Sequence, residues 1–221
     1  MIVTKEPVIL TLPEPKKPRS VGIHNSSIIR CIATEQGILK PQWCEELSLI
    51  DARKIVDQTA VLRMCIGLAW EEFYIPRYIE DVIDHPDEMQ VDGVYMSPDA
   101  ENISSVLSFR TGRRRWAKII HEVKATYKST KTVGNVDEDD PKIRRSNWMW
   151  VAQLMGYCLA AKTYHACLHV LFLCGDYKRP IEPQIWKFNI EFEDHELINN
   201  WQYQMKYLED LAQRIGLSEV A

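Results

Sequence analysis

The stretch Trp116–Thr126, WAKIIHEVKAT, decides the architecture. Read with the period of two that a strand imposes, it places Ile120, Glu122 and Lys124 on one face and His121, Val123 and Ala125 on the other. It is the best strand in the chain. Upstream, Gln90–Met96 reads as a short strand with Asp92 and Gly93 inside it, followed by a polar segment with Pro98, Gly112 and Arg113, Arg114 and Arg115. Further back, Asp51 can cap a long helix to about Phe73, with Pro76 forbidding continuation. Ile55, Leu62, Ile66, Ala69 and Phe73 form one apolar stripe of that helix, and Ala60, Met64 and Gly67 a second, which places it inside the protein. Glu71 continues the second stripe, where a carboxylate needs a reason. Asn25, Ser26 and Ser27 offer caps to a helix over Ile28–Gln36, stopped by Gly37. Residues 1–20, with Pro7, Pro13, Pro15 and Pro18, read as an extended arm or an edge strand.

Downstream, residues 128–145 read as a loop, basic and then acidic through Asp137–Asp140. A helix from Ser146 or Asn147 to about Lys162 is apolar nearly all round, with Gln153 and Tyr157 one turn apart. His165–Cys174 is a continuous apolar run, as in a buried strand, and Ile185–Phe192 alternates like another. Glu196–Ile215 closes the chain as a helix ended by Gly216. Helix, strand, strand, helix, strand, strand, helix implies an α/β fold, one mixed sheet with helices on both sides.

Bulk properties bound the answer. A chain of 221 residues suits one domain. The hydrophobic share of 46% and charged share of 26% are those of a globular protein. No apolar run reaches the ~18–20 residues of a membrane span, and no secretory pattern opens the chain, so no membrane partner and a cytoplasmic location are expected. The cysteines, at 31, 44, 65, 158, 167 and 174, form no close pair and read as small core residues. A net charge of −4 counts against an all-over basic nucleic-acid binder, but not against an acidic site flanked by basic residues.

Glu71, Asp92, Glu122 and Lys124 are the residues that could do chemistry together. Carboxylate oxygens are the ligands that hard divalent ions such as Mg²⁺ and Mn²⁺ choose. With the Val123 carbonyl they suffice for one ion, or for two ~3.5–4 Å apart. Lys124 shares the face of Glu122 and would aim its ammonium at the same place, to orient water or steady a phosphate. A lone ExK is usually an ion pair, and a lone Asp-Gly usually a turn; their order on these elements gives the set its meaning.

Four signatures resemble the PD-(D/E)XK nuclease superfamily, in its RecB-like and lambda-exonuclease-like branch. Gly67-Leu-Ala-Trp-Glu71 is similar to its GxxxE helix motif, Asp92 in VDGV to its metal-binding aspartate, Glu122-Val123-Lys124 to its ExK, and Gln153-Leu-Met-Gly-Tyr157 to its QxxxY helix motif. The resemblance implies a restriction-endonuclease-like core, a mixed central β-sheet flanked by helices. It implies metal on Glu71, Asp92 and Glu122, catalytic assistance from Lys124, and Gln153 and Tyr157 either shaping the site or contacting the nucleic-acid strand. The spacing of Cys158, Cys167 and Cys174 does not look like the iron–sulfur site of some relatives, and no iron–sulfur cluster is expected. No nucleotide cofactor is expected either, since no GxxxxGK[ST] loop occurs.

Basic residues bracket the central strand: Arg113, Arg114, Arg115 and Lys118 before it, and Lys128, Lys131, Lys142, Arg144 and Arg145 after it. They are candidates for neutralising DNA phosphates. Trp148 and Trp150 are candidates for base stacking, against a more ordinary role in the core. The function expected is a metal-dependent DNA exonuclease of the phage recombination or repair type, acting in the host cytoplasm if phage-encoded. The alternatives are a structure-specific or restriction-like endonuclease and a catalytically silent DNA-binding module. A homo-oligomer, ring-shaped trimers included, and a recombination partner protein are compatible with the sequence.

Overall fold

The computed structural model describes residues 17, 19–39, 58–128, 142–173 and 185–214. Its main sheet has five strands in the order β2 (Ile83–Asp84), β5 (Ala100–Leu107), β6 (Arg114–Thr126), β7 (His165–Phe172) and β8 (Ile185–Glu191). The 13-residue strand β6 lies at its centre, antiparallel to β5 and parallel to β7. A small second sheet orders β1 (Ile23–His24), β4 (Val94–Met96) and β3 (Met89–Val91). This is the mixed α/β architecture expected, with two sheets rather than one.

The alternation of β6 partitions the core. Ile120 joins Ala166, Leu168, Val170 and Phe172 of β7 under helices α1 (Asn25–Glu35), α4 (Trp148–Ala160) and α5 (Asp194–Arg214). Val123, on the other face, packs with Tyr74 and Ile75 of helix α2 (Gln58–Tyr78) and with Ile79 just past its end. β7 is sealed from both sides, which explains its unbroken apolar run. Trp148 and Trp150 are half-buried against the larger cluster, so they serve the core. Among the described residues no helix is long and apolar enough to cross a membrane.

Several boundaries differ from the sequence reading. α1 begins at Asn25, with His24 at its N-cap and no side-chain cap bond. Asn25 is fully buried and turned into the protein, its Nδ2 donating to the Gln153 carbonyl at 3.3 Å. α2 runs through Pro76 to Tyr78. A proline in the final turn forfeits one backbone bond, and Arg77 covers the neighbouring Phe73 carbonyl by donating from Nη1 at 2.9 Å. The helix is not sandwiched as expected: Leu62 and Phe73 of the supposed core stripe are exposed, and Val61, Tyr74, Ile75 and Ile79 are buried instead. The proposed Asp51 cap and Ile55 fall outside the described residues.

The larger correction concerns Gln90–Met96, which is a hairpin. Asp92 and Gly93 both take positive φ, 48° and 77°, the geometry of a two-residue type I′ turn between β3 and β4. β5 occupies what was read as a polar segment. Its Asn, Ser and Glu side chains mask an alternation visible in the burial of Ala100 and Asn102 against the exposure of Ile103 and Leu107. Of the expected 128–145 loop, Lys142–Ser146 forms a short helix, α3, and residues 129–141 lie outside the description.

Candidate active site

The centre is built at the end of the β5–β6 ladder. Ala100 pairs with His121, and Pro98 lacks the N–H needed to extend β5 further. Asp99, between them, turns its carboxylate onto β6 and accepts the Val123 N–H at 2.7 Å. Asp99 thereby stands beside Glu122, and its charge acts on Glu71, Glu122 and Lys124.

Glu122 is completely buried on the face that carries Ile120. Its ion-pair partner is the Lys124 ammonium, two residues along the same face. Otherwise neither of its carboxylate oxygens has a hydrogen-bond donor among the described residues. Burial and the Asp99 charge push the Glu122 carboxyl up to about 8, against the opposing pull of Lys124. Glu71, half-buried on α2, is likewise pushed up to about 8 by burial and then by Asp99. Lys124 moves the other way. Burial lowers it, but the surrounding carboxylates, Glu122 first, outweigh that and raise it above the ordinary lysine range.

Gln153 and Tyr157 line the same centre from α4. Gln153 donates from Nε2 to the Tyr157 hydroxyl at 2.6 Å, satisfying one amide hydrogen inside an otherwise apolar helix. Tyr157 is buried, and burial followed by the Glu122 charge holds its phenol well above the usual range, so it is neutral. α1 fixes this helix closely: a Cβ on Gly156 would lie 2.1 Å from Asn25 Nδ2.

Asp92 is not in the cluster. Its carboxylate is at the exposed hairpin turn, where Oδ2 accepts the Trp201 indole N–H of α5 at 2.7 Å. The aspartate among the acids is Asp99, in the Pro98-Asp99 step that the sequence reading passed over. Two facts carried the signal: the two-residue Asp-Gly hairpin, and a proline immediately before an acid at a strand start. Arg19 was also missed. Its charge reaches Glu71, Glu122 and Tyr157 from the N-terminal arm. The arm is held by Glu88, whose carboxylate accepts from the Ser20 backbone N–H and the Ser97 hydroxyl. Burial would raise Glu88, but these donors outweigh it and hold its carboxyl below the ordinary range.

The flanking basic residues divide. Arg113 and Arg114 are exposed. Arg115 contacts His165, Lys118 is paired with Glu101, and Arg144 with Glu196. Lys128 donates to the Ser146 carbonyl and to Asn147 Oδ1 and lies over the Trp150 ring. Arg145 is exposed, while Lys131 lies outside the described residues. Just past Lys124, an open groove of about 420 Å³ is lined by Arg63, Ile66, Thr126, Tyr127 and Lys128. Arg63 on α2 was not anticipated as a basic contributor.

The acidic centre suits a divalent cation. Three carboxylates share one ammonium, and Glu71 and Glu122 resist ionisation first because they are buried and then because the Asp99 charge stands beside them. Oxygen-only donors of this kind match Mg²⁺ or Mn²⁺ rather than a thiophilic ion.

No family model matches the chain, and no curated protein matches it by sequence. Solved structures do. An alkaline exonuclease (LHK-Exo) from Laribacter hongkongensis is 14% identical over 89% of this chain and 90% of its own, with a TM-score of 0.52. A phage-related exonuclease from Haemophilus somnus 129PT is 15% identical over 88% of this chain and 96% of its own, with a TM-score of 0.50. The chain shares their fold, a restriction-endonuclease-like α/β core.

Proposed function

We propose that this chain is a divalent-metal-dependent deoxyribonuclease, with exonuclease action on DNA ends as the leading form, in recombination or repair. The observation that carries the reading is the convergence of Glu71, Asp99 and Glu122 with Lys124 on one end of β6. The fold shared with two exonucleases supports it.

Glu71, Asp99 and Glu122, with the Val123 carbonyl, are the groups that would hold Mg²⁺ or Mn²⁺. Bound there, such an ion supplies Lewis-acid charge to the phosphate and acidifies a water. Lys124 is held protonated by its carboxylate neighbours, so it acts as a cationic donor to the scissile phosphate or to the water, and not as a general base. Tyr157, neutral and tied to Gln153, contributes a fixed dipole at the wall of the site. Arg19 adds positive charge where a phosphate would enter, and Arg63 with Lys128 extends it along the groove.

The test is to incubate the purified chain with end-labelled linear DNA and covalently closed circular DNA, with Mn²⁺ and with excess chelator. Digestion of the linear DNA alone, abolished by chelator, is expected. Cleavage of the closed circle would make it an endonuclease. Cleavage that persists in chelator, or binding without cleavage in Mn²⁺, would overturn the assignment.

A further inference from the structure

The face of the sheet turned toward α2 carries a second group of ligand-type side chains, separate from the acids. His121 on β6 is paired in register with Cys167 on β7, and His169 follows two residues later on the same face. All three are buried, at 2%, 1% and 0% exposure. One donor atom from each lies within 4.8 Å of the others. His121 Nδ1 and His169 Nε2 face each other at 2.9 Å.

What surrounds these atoms is as informative as the atoms themselves. The outer nitrogen of His121, Nε2, faces Asn102 Oδ1 at 3.0 Å. Asn102 Nδ2 donates to the Glu80 carbonyl at 2.8 Å, which fixes the amide orientation and leaves Oδ1 as an acceptor. His121 Nε2 therefore carries the hydrogen, and its Nδ1 presents a lone pair. The outer nitrogen of His169, Nδ1, faces the Tyr74 hydroxyl at 3.0 Å. Cys167 Sγ has Asn189 Oδ1 at 3.2 Å. Each imidazole thus has an oxygen on the side away from the triad. This arrangement orients histidines that ligate metal.

We propose that His121, Cys167 and His169 form a second metal site, for one zinc-class transition ion, distinct from the carboxylate centre. Two imidazoles and a thiolate select a borderline or soft ion over Mg²⁺. Metal–nitrogen bonds of ~2.0–2.1 Å in tetrahedral geometry set the two nitrogens ~3.3 Å apart, ~0.4 Å more than the hydrogen-bonded pair, with both rings turning to aim their lone pairs at the ion. Three protein donors leave one position for an oxygen donor.

The protons balance. Without metal, His169 Nε2–H donates to His121 Nδ1, and the Tyr74 hydroxyl donates to His169 Nδ1. On binding, the His169 proton moves to Nδ1 and is donated to the Tyr74 oxygen, which frees both facing nitrogens. Cys167 loses its proton to solvent, one per ion bound. No oxidant or reductant is involved. Because Tyr74 lies three residues after Glu71 on α2, an ion here would tie that helix to β6 and β7.

The site does not depend on the nuclease reading, and its test reads metal rather than cleavage. The full chain, reduced and stripped of metal, is titrated with Co²⁺ in excess Mg²⁺. A near-ultraviolet thiolate-to-cobalt band saturating at one equivalent, and displaced by one equivalent of Zn²⁺, is expected. The band should persist in E122Q and vanish in C167S, with Zn²⁺ affinity reduced at least ~10-fold in competition with a chromogenic chelator. C167A serves if C167S fails to fold, and the wild-type titration decides without either. A wild-type chain that shows no band, or a band undiminished by loss of Cys167, overturns the site; the cluster is then a purely hydrogen-bonded one.

Discussion

Asp99 Oδ2 accepts the backbone N–H of Val123 at 2.7 Å, so the acid that leads into one strand occupies the ladder position next to the acid of the other. This bond spends one carboxylate oxygen on structure and leaves the other for the centre. It also identifies which aspartate matters.

Replacing Asp99 with Asn should lower cleavage at least ~10²-fold, the scale of losing one group that acts on transition-state charge, with folding retained. D92N should leave cleavage little changed, because Asn tolerates the positive φ and still accepts from Trp201. D92A should cost stability by ~1–3 kcal/mol, combining the lost hydrogen bond with a strained backbone. Turnover and urea midpoints of the three variants check this. A dead D92N beside an active D99N would return the role to the hairpin.

Gly156→Ala should destabilise the protein by ~1–3 kcal/mol through overpacking against Asn25. The double variant N25A/G156A should recover part of that loss, since the two sites are in contact and their effects are not additive. A double-mutant cycle from denaturant melts measures the coupling. Strict additivity would mean that α1 simply shifts away.

Stability without metal should fall as pH rises from about 6.5 to about 8. Glu71 and Glu122 have folded values pushed up to about 8 from 4.5, so the folded chain binds more protons than the unfolded one in this range. Their contribution is complete below the unfolded value and is lost as pH climbs through the folded one. His121 and His169, held low by burial, oppose the trend only below their ordinary 6.5. Thermal melts in chelator should show the decline, and saturating Mg²⁺ or Mn²⁺ should flatten it. A rise in stability across this interval would contradict the burial of these acids beside Asp99.

Arg63→Ala with Lys128→Ala should raise KM for DNA more than it lowers kcat, and should reduce the steepness of the salt dependence by about two phosphate contacts. Lys118→Ala should do neither, since its ammonium is engaged by Glu101. Binding curves at several salt concentrations separate these outcomes.

The parts of this site that were legible in advance are those written by period. β6 alternates, so Glu122 and Lys124 fell on one face and His121 and Val123 on the other. α4 turns once between Gln153 and Tyr157, and the two do touch. Glu71 was legible as a carboxylate out of place on an apolar helix. What escaped depends on long-range pairing. Asp99 matters because of where β5 starts against β6, and β5 was invisible while its polar residues hid the alternation. Asn25 resembled a cap because cap residues are read locally, whereas its hydrogen-bond partner, the Gln153 carbonyl, lies 128 residues away. Arg19 acts through space from an arm anchored by Glu88.

The parity of β6 has a consequence for how this chain can change. One strand delivers a carboxylate and an ammonium to one side and imidazole to the reverse, clamped between β5 and β7. Deleting or inserting a single residue within 119–126 would not weaken the centre by degrees; it would exchange carboxylate for histidine and present the wrong chemistry to each layer. Within the β5–β6 pair, a change of length that spares the centre therefore belongs at the tip, where Gly112 at φ 64° already turns the chain.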